Sequence, residues 1–517
     1  MKTISLYFEI HQPIHLKRYR FFDIGTDHYY YDDYENERVT QETAQRSYLP
    51  ALRTLLDMTL QYGKNFRVAF SISGVSLEQL EQYAPEVLDL LQQLNETGCV
   101  EFLAEPYSHG LSSLGNVENF QAELKRQAKR IKQLFGQTPK VVRNSSLIYN
   151  DEIGSIVSEM GFKGIMVEGA KHILGWKSPH YIYSCAQDAR LSLLLRDYKL
   201  SDDISLRFSD SSWSEYPLMA DKYIGWVKNL PEGENVVNIM MELSALGIYQ
   251  PLESHVLDFL RALPSIDPEG VQFATPSEVI AKNKPVGPLE VVYPVSWNDE
   301  ERDTSSMLGN NLQREAFNKL YDEKIVGRIL ACRDRRIKQD WDRLQATDNF
   351  RFMTTKNNGM GVYRGIYENE YDAFTNYMNI LGDFLKRVKD LYSDAVENDE
   401  LNSLYTQIAN MGNELNVKEN EISRLRARLE KYEPKEESKD EGAEPKPAPK
   451  PAPAKKPATP AKKPATPAKK AAAPDPKPAP AKKKVAAPAP KPAPAKTVDK
   501  KAPAKKATPK APAKKKK

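Results

Sequence analysis

Over the first 280 or so residues, short apolar runs (ISLYFEIH, FRVAFSIS, VEFLAE, KVVRNSS, GIMVEG, LLLRDYK, VVNIMMEL and VQFA) alternate with amphipathic stretches such as LEQLEQYAPEVLDLLQQL (78–95) and VENFQAELKRQAKRIKQLF (117–135). The runs are rich in β-branched and aromatic residues and predict strands, while the stretches space their apolar positions by three and four and predict helices. Strict alternation of the two predicts βαβ units and a parallel sheet. Seven or eight such strands favour a closed (β/α) barrel over an open sheet.

Polar residues cluster where these strands end: His11 and Gln12, Glu105, the Asn144–Ser146 stretch, Glu168, Arg196 and Asp197, and Glu242. In a β/α barrel the C-terminal strand ends and the loops beyond them form the active face, so the clusters are expected to converge on one site. Any one of them taken alone reads as readily as a partner for backbone donors in a strand-to-helix turn.

The pattern changes at about residue 291. Residues 291–395 read as helices (QREAFNKLYDEKIVGRILACRD and AFTNYMNILGDFLKRVKDLY) around polar loops that carry Trp297 and Trp341, a helical domain packed on a barrel of residues 1–290. Between 396 and 433, Leu401, Leu404, Ile408, Met411, Leu415, Ile422, Leu425 and Leu429 step by three and four, with Lys418 at the skipped position and Tyr432 closing the run. This predicts a coiled coil and self-association through 401–432; a long helix laying its stripe on the barrel of its own chain is the alternative. From 434 to 517 the chain becomes Lys-Pro-Ala repeats, expected to be extended and disordered.

Charge divides the same way. Residues 445–517 hold 23 lysines against Asp475 and Asp499, a net +21. Since the whole chain carries +4, residues 1–444 carry −17. Lysine without aromatics neutralises phosphates but does not stack on bases, so nucleic-acid contact by the tail would be non-specific and salt-sensitive. A tail that only solubilises, or that folds back on the acidic body, fits the charge equally.

Cys99, Cys185 and Cys332 are scattered, without the spacing of a disulfide framework or zinc knuckle. The N-terminus runs straight into a strand and resembles no signal peptide. No stretch approaches the roughly 18 apolar residues of a membrane span. A soluble, cytoplasmic protein is expected.

Six ordered segments carry a resemblance: LYFEIHQPIHLKRY (6–19), GCVEFLAEPYSHGL (98–111), FGQTPKVVRNSSLIYNDEI (135–153), LLLRDYKLSDDISLRFS (193–209), NIMMELSALGIYQ (238–250) and SWNDEERDTSSMLGNNLQ (296–313). Together they resemble the motifs of glycoside hydrolase family 57, in its α-amylase-type branch, over roughly residues 1–390. The resemblance implies a retaining enzyme acting on α-glucans or maltooligosaccharides, with an incomplete seven-stranded barrel, a helical C-terminal domain, and no cofactor or metal. It also implies that the third motif carries a glutamate nucleophile and the fourth an aspartate acid/base, in runs close to RNTELIY and MDYETFG.

Here those runs read RNSSLIY and MELSALG, so Ser146 occupies the nucleophile position and Glu242 the acid/base position. A retaining glycosidase needs two carboxyl groups about 5–5.5 Å apart. Serine brings neither the carboxylate nucleophile nor its negative charge. Glu242 can still donate a proton, but its extra methylene displaces the carboxyl, and about 1 Å of misplacement can cost roughly a hundredfold in rate. Asp151 and Glu152 follow the strand but fit a helix N-terminus, where capping is expected. Glu105 and Glu168 are the candidates to replace the nucleophile, including in an inverting arrangement with Glu242.

The substrate-binding residues implied by the resemblance are His11, Gln12, Glu105, Tyr107, His109, Glu168, Trp297, Asp299, Arg302 and Asp303. For His15, His28, His172, His180 and His255, packing or surface roles are expected, since none has metal-ligand spacing. Two functions therefore stand side by side: an α-glucan hydrolase or glucanotransferase with an altered catalytic pair, or a pseudoenzyme that keeps the glucan cleft and regulates or binds.

Overall fold

The computed structural model describes residues 1–356 and 366–391. The heptad segment, the Lys-Pro-Ala tail, and the self-association and polyanion contact expected of them lie outside the described residues.

All eight predicted strands form: β1 (Lys2–Ile10), β2 (Val68–Ile72), β3 (Val100–Leu103), β4 (Val141–Arg143), β5 (Gly164–Glu168), β7 (Ser192–Arg196), β8 (Val236–Glu242) and β9 (Val271–Phe273). Two short ones, β6 (Ile182–Cys185) and β10 (Pro288–Leu289), escape the sequence pattern. β6 runs antiparallel to β7, and β10 extends it.

Parallel pairings link β8 to β1, β1 to β2, β2 to β3, β4 to β5, and β5 to β7. Two narrow seams complete the cycle. Ala104, just past β3, bridges Val142 on β4, and Arg196 on β7 pairs Asn238 on β8. β9 occupies the N-terminal half of the β1 edge whose C-terminal half pairs with β2. The cycle is consistent with a (β/α) barrel.

The strands are buried on both faces, as parallel strands flanked by helices must be. One apolar cluster takes a residue from each strand of the cycle: Tyr7, Ala69, Leu103, Val141, Met166, Leu194 and Met240. It fills the barrel interior. Because side chains alternate, the next inward positions, two residues on, are Glu9, Ser71, Glu105, Arg143, Glu168, Arg196 and Glu242. An apolar layer is thus capped by a polar one.

The stretch 78–95 is two helices, Gly74–Tyr83 and Pro85–Glu96, because Pro85 lacks the N–H that would continue the first. Val117–Phe135 forms as expected, with Asn116 at its N-cap and Gly136 left-handed beyond its end. After residue 291, Asn311–Leu320 and Glu323–Ala331 break where Asp322 caps the second helix. Helices from this region bring Trp341, Phe350 and Phe384 into one apolar cluster with Val142, Ile165, Val167 and Leu193 from the barrel's outer surface. Among the described residues no helix is long and apolar enough to cross a membrane.

Candidate active cleft

The polar layer is held by charge. Arg143, fully buried, pairs with Glu9 across the barrel at 2.5 Å. Arg196, also fully buried, lies 3.3 Å from Glu168 and 2.6 Å from Asp202. Asp202 in turn accepts from Arg302 at 2.8 Å, and Arg302 donates to the Trp297 carbonyl at 2.6 Å. The chain Glu168–Arg196–Asp202–Arg302 therefore fastens the loop of the last motif to the ends of β5 and β7. The Arg196 guanidinium also lies 5.5 Å from the Trp297 ring centroid, within cation–π range.

Two arginines balance two of the four glutamates. Of the others, Glu105 is fully buried; among the described residues neither carboxyl oxygen has a hydrogen-bond partner, with the His109 ring nitrogen Nδ1 3.5 Å away. Burial raises its pKa well above the usual carboxylate range, with Arg143 pulling the other way. Burial likewise pushes Glu168 up to about 7 against the pull of Arg196. Glu242 is half-buried and accepts from Ser244 Oγ at 2.9 Å and Tyr249 OH at 3.3 Å.

Glu242 opens on a cleft of about 1360 Å³ that Trp297, Asp299 and Arg302 also line. The cleft continues past Asp197, His180 and the helix Tyr198–Ser205 to Trp213 and Trp226. Asp299 has a positive φ of 50° and, among the described residues, a carboxylate without hydrogen-bond partners, with Lys356 at 3.7 Å. Burial raises its pKa to about 6, opposed by Lys356.

Ser146 is only 2% exposed, with a left-handed backbone (φ 51°, ψ 26°) that costs a non-glycine residue energy. The last-motif loop holds it there: Ser296 Oγ and Trp297 N both donate to its carbonyl, at 2.8 and 3.1 Å. Before it, Asn144 accepts from Ser145 N and donates to the Ile148 carbonyl, closing the turn.

The other sequence-predicted residues divide by location. His11 and His109 stack at 3.8 Å, and His11 reaches Ser73 and Asp348 at 2.8 and 3.0 Å. The backbone of Gln12 is engaged by Ser76 and Gln79. Tyr107 donates to Glu78 under the Arg126 guanidinium, and Asp303 accepts from Ser305 N. None of these five lines the cleft, and neither do Glu105 and Glu168. The helix cap after the third motif is Asn150; Asp151 instead accepts from Val291 N at 2.8 Å.

Sequence reasoning passed over Glu9, Asp202, Trp213 and Trp226. Strand alternation holds the signal for Glu9, which shares a face with Ser5 and Tyr7. His180, assigned to packing, bonds Asp197 and Glu234, each at 2.7 Å, and lines the cleft. Among the described residues no group of three or more His, Cys, Asp or Glu is placed to hold a metal ion.

A parallel barrel with its carboxylates and aromatic rings gathered at the C-terminal strand ends is the frame of many glycoside-cleaving enzymes, and the comparisons define the class. Residues 5–292 match Glycosyl hydrolase family 57, and the chain belongs to that family. A protein of Methanocaldococcus jannaschii described as "Putative alpha-amylase" is 37% identical over 410 residues, covering 75% of this chain and 85% of that one.

Among solved structures, a GH57 branching enzyme from Thermococcus kodakaraensis superposes with a TM-score of 0.56 at 13% identity, over 76% of this chain and 91% of that one. The GH57-type branching enzyme of Pyrococcus horikoshii gives 0.54 at 14%, over 74% and 88%. For the 4-alpha-glucanotransferase of Thermococcus litoralis the TM-score is 0.52 at 16% identity; the match spans 74% of this chain and 59% of that longer one. At these identities the structures share the fold.

Proposed function

We propose that this chain is an α-amylase-like family 57 protein that binds α-glucans in the cleft beside Glu242 and has lost the nucleophile needed to cleave them. The observation that carries this reading is the tip of the third-motif strand. Ser146 takes the nucleophile position in a backbone held by Ser296 and Trp297, and loss of a nucleophile removes orders of magnitude of rate. Glu105 and Glu168, the buried acids offered as replacements, do not line the cleft, and neither does Ser146, which adjoins it through its bonds to Ser296 and the cleft-lining Trp297. The relative described as "Putative alpha-amylase" and the 4-alpha-glucanotransferase of the same fold support the substrate class.

One observation favours a second reading, in which hydrolysis survives. Asp299 lines the cleft with Glu242, has no hydrogen-bond partner among the described residues, and belongs to the loop whose Ser296 and Trp297 bond Ser146. In that reading Asp299 supplies the second carboxylate.

Titration calorimetry of the full chain with maltoheptaose and with the β-linked cellohexaose tests the substrate class. Saturable binding of the first and none of the second is expected. Equal or absent binding of both would remove the α-glucan assignment. If the protein also releases product, loss of that release in Asp299→Asn would establish the second reading. Self-association through 401–432 and polyanion contact by the tail complete the proposal: the coiled coil would gather several clefts and the tail would dock them.

A further inference from the structure

The far end of the cleft carries two tryptophans that neither the family motifs nor the catalytic pair use. Trp226 belongs to the helix Ala220–Lys228, whose buried positions Ala220, Tyr223, Ile224 and Val227 already make a complete core stripe. Trp226 stands beside that stripe, partly buried against the same apolar core and partly open to the cleft. Trp213, from the preceding loop, meets it edge-on at 6.4 Å between centroids and 72° between planes, and both rings line the cleft.

Each ring is fixed by a cation that is itself matched. Arg207 lies 5.7 Å from the Trp213 centroid and pairs with Asp203 at 2.6 Å. Lys222 lies 5.6 Å from Trp226 and pairs with Glu215 at 2.7 Å. Flat apolar rings flanked by balanced hydrogen-bonding groups suit a neutral polyhydroxyl ligand whose C–H faces stack on indole while its hydroxyls meet charged side chains.

The pair stands apart from the catalytic end. Trp297 reaches the helix Tyr198–Ser205 through Arg302, which pairs with Asp202 and covers the Tyr198 ring at 5.0 Å. Trp213 is reached through Arg207, beyond the end of that helix. Trp297, Trp213 and Trp226 all line the same cleft of about 1360 Å³, which is large against a single pyranose ring and leaves room for further units of one chain.

We propose that Trp213 and Trp226 form a second sugar-binding station that holds a glucose unit of the same chain whose other units lie at Trp297 and Glu242, so that the cleft selects oligosaccharides over short sugars. This rests on the α-glucan reading.

The test is calorimetric binding of maltotriose and maltoheptaose to the full chain, to Trp213→Ala, to Trp213→Tyr and to Trp226→Phe. Trp213 and Trp226 both pack partly against the apolar core, so Trp213→Tyr and Trp226→Phe, which keep a ring in place, control for lost packing. Wild type should bind maltoheptaose at least about tenfold more tightly than maltotriose. Trp213→Ala should shrink that ratio to within about threefold by weakening only the longer ligand, while Trp213→Tyr and Trp226→Phe, which keep aromatic faces, retain most of it. A ratio unchanged in Trp213→Ala overturns the inference and leaves the α-glucan reading standing. Wild type that binds neither sugar overturns both.

Discussion

Glu9 and Glu242 are register partners on the adjacent parallel strands β1 and β8, and of the two it is Glu9 that pairs with Arg143. Glu242 is left to Ser244, Tyr249 and the cleft. One arginine thereby converts two equivalent strand positions into a structural carboxylate and a solvent-facing one.

The Glu9–Arg143 pair should be costly to break. Arg143→Met leaves Glu9 without its counter-ion inside the barrel, and a loss of about 3–5 kcal/mol is expected, read by urea unfolding. The double variant Glu9→Gln/Arg143→Met should recover much of that loss, because residue 9 no longer carries a charge that needs a counter-ion. Equal losses in single and double variants would show that packing, not charge, governs the site.

Glu105 gives a pH dependence of defined sign. Its folded pKa is raised above the ordinary 4.5 by burial, so between those two values the folded state binds a proton that the unfolded state has released. Stability must fall as pH rises through that interval. Glu105→Gln, which mimics the protonated acid, should match wild type near pH 4 and exceed it increasingly toward pH 8 in thermal unfolding. A constant difference across pH would refute the assignment.

His180 carries the opposite charge and a different window. Burial works against its charge, but its hydrogen bonds to the Asp197 and Glu234 carboxylates prevail and raise its pKa above the ordinary 6.5. The stabilisation is fully present below 6.5 and is lost as pH climbs through the raised folded value. His180→Gln should therefore lower the melting temperature at pH 6 and matter much less at pH 9.

Much of this architecture is legible in the sequence because a barrel strand is a local pattern. The runs ISLYFEI and VVNIMME announce β1 and β8 by β-rich composition alone. Trp341 and Trp297 show what composition does not resolve: both belong to the helical region, yet one is core and the other lines the cleft. The links that assemble the site are long-range. Arg302 meets Asp202 across 100 residues and Ser296 meets Ser146 across 150. Glu105 and Glu168 read as cleft acids because strand ends usually point to solvent, whereas the depth of the polar layer buries them. β6 was missed because Ile182–Cys185 is short and runs antiparallel to its neighbour.

The tail prediction depends on charge alone. With 23 lysines in residues 445–517, retention of the full chain on a polyanionic resin should fall steeply and linearly in log salt, and removing those residues should abolish it. A truncated chain that binds as tightly would place the contact on the acidic body instead.

The central claim is that a glucan is held without being cleaved. The direct measurement is product release from end-labelled maltoheptaose over a day, at protein concentrations that saturate binding, for wild type, Ser146→Glu and Glu242→Gln. The account predicts no release by wild type or Glu242→Gln, and release by Ser146→Glu, where the carboxylate returns to the strand tip. Release by wild type that disappears in Glu242→Gln would contradict it and show a working enzyme whose second carboxylate lies elsewhere in the cleft.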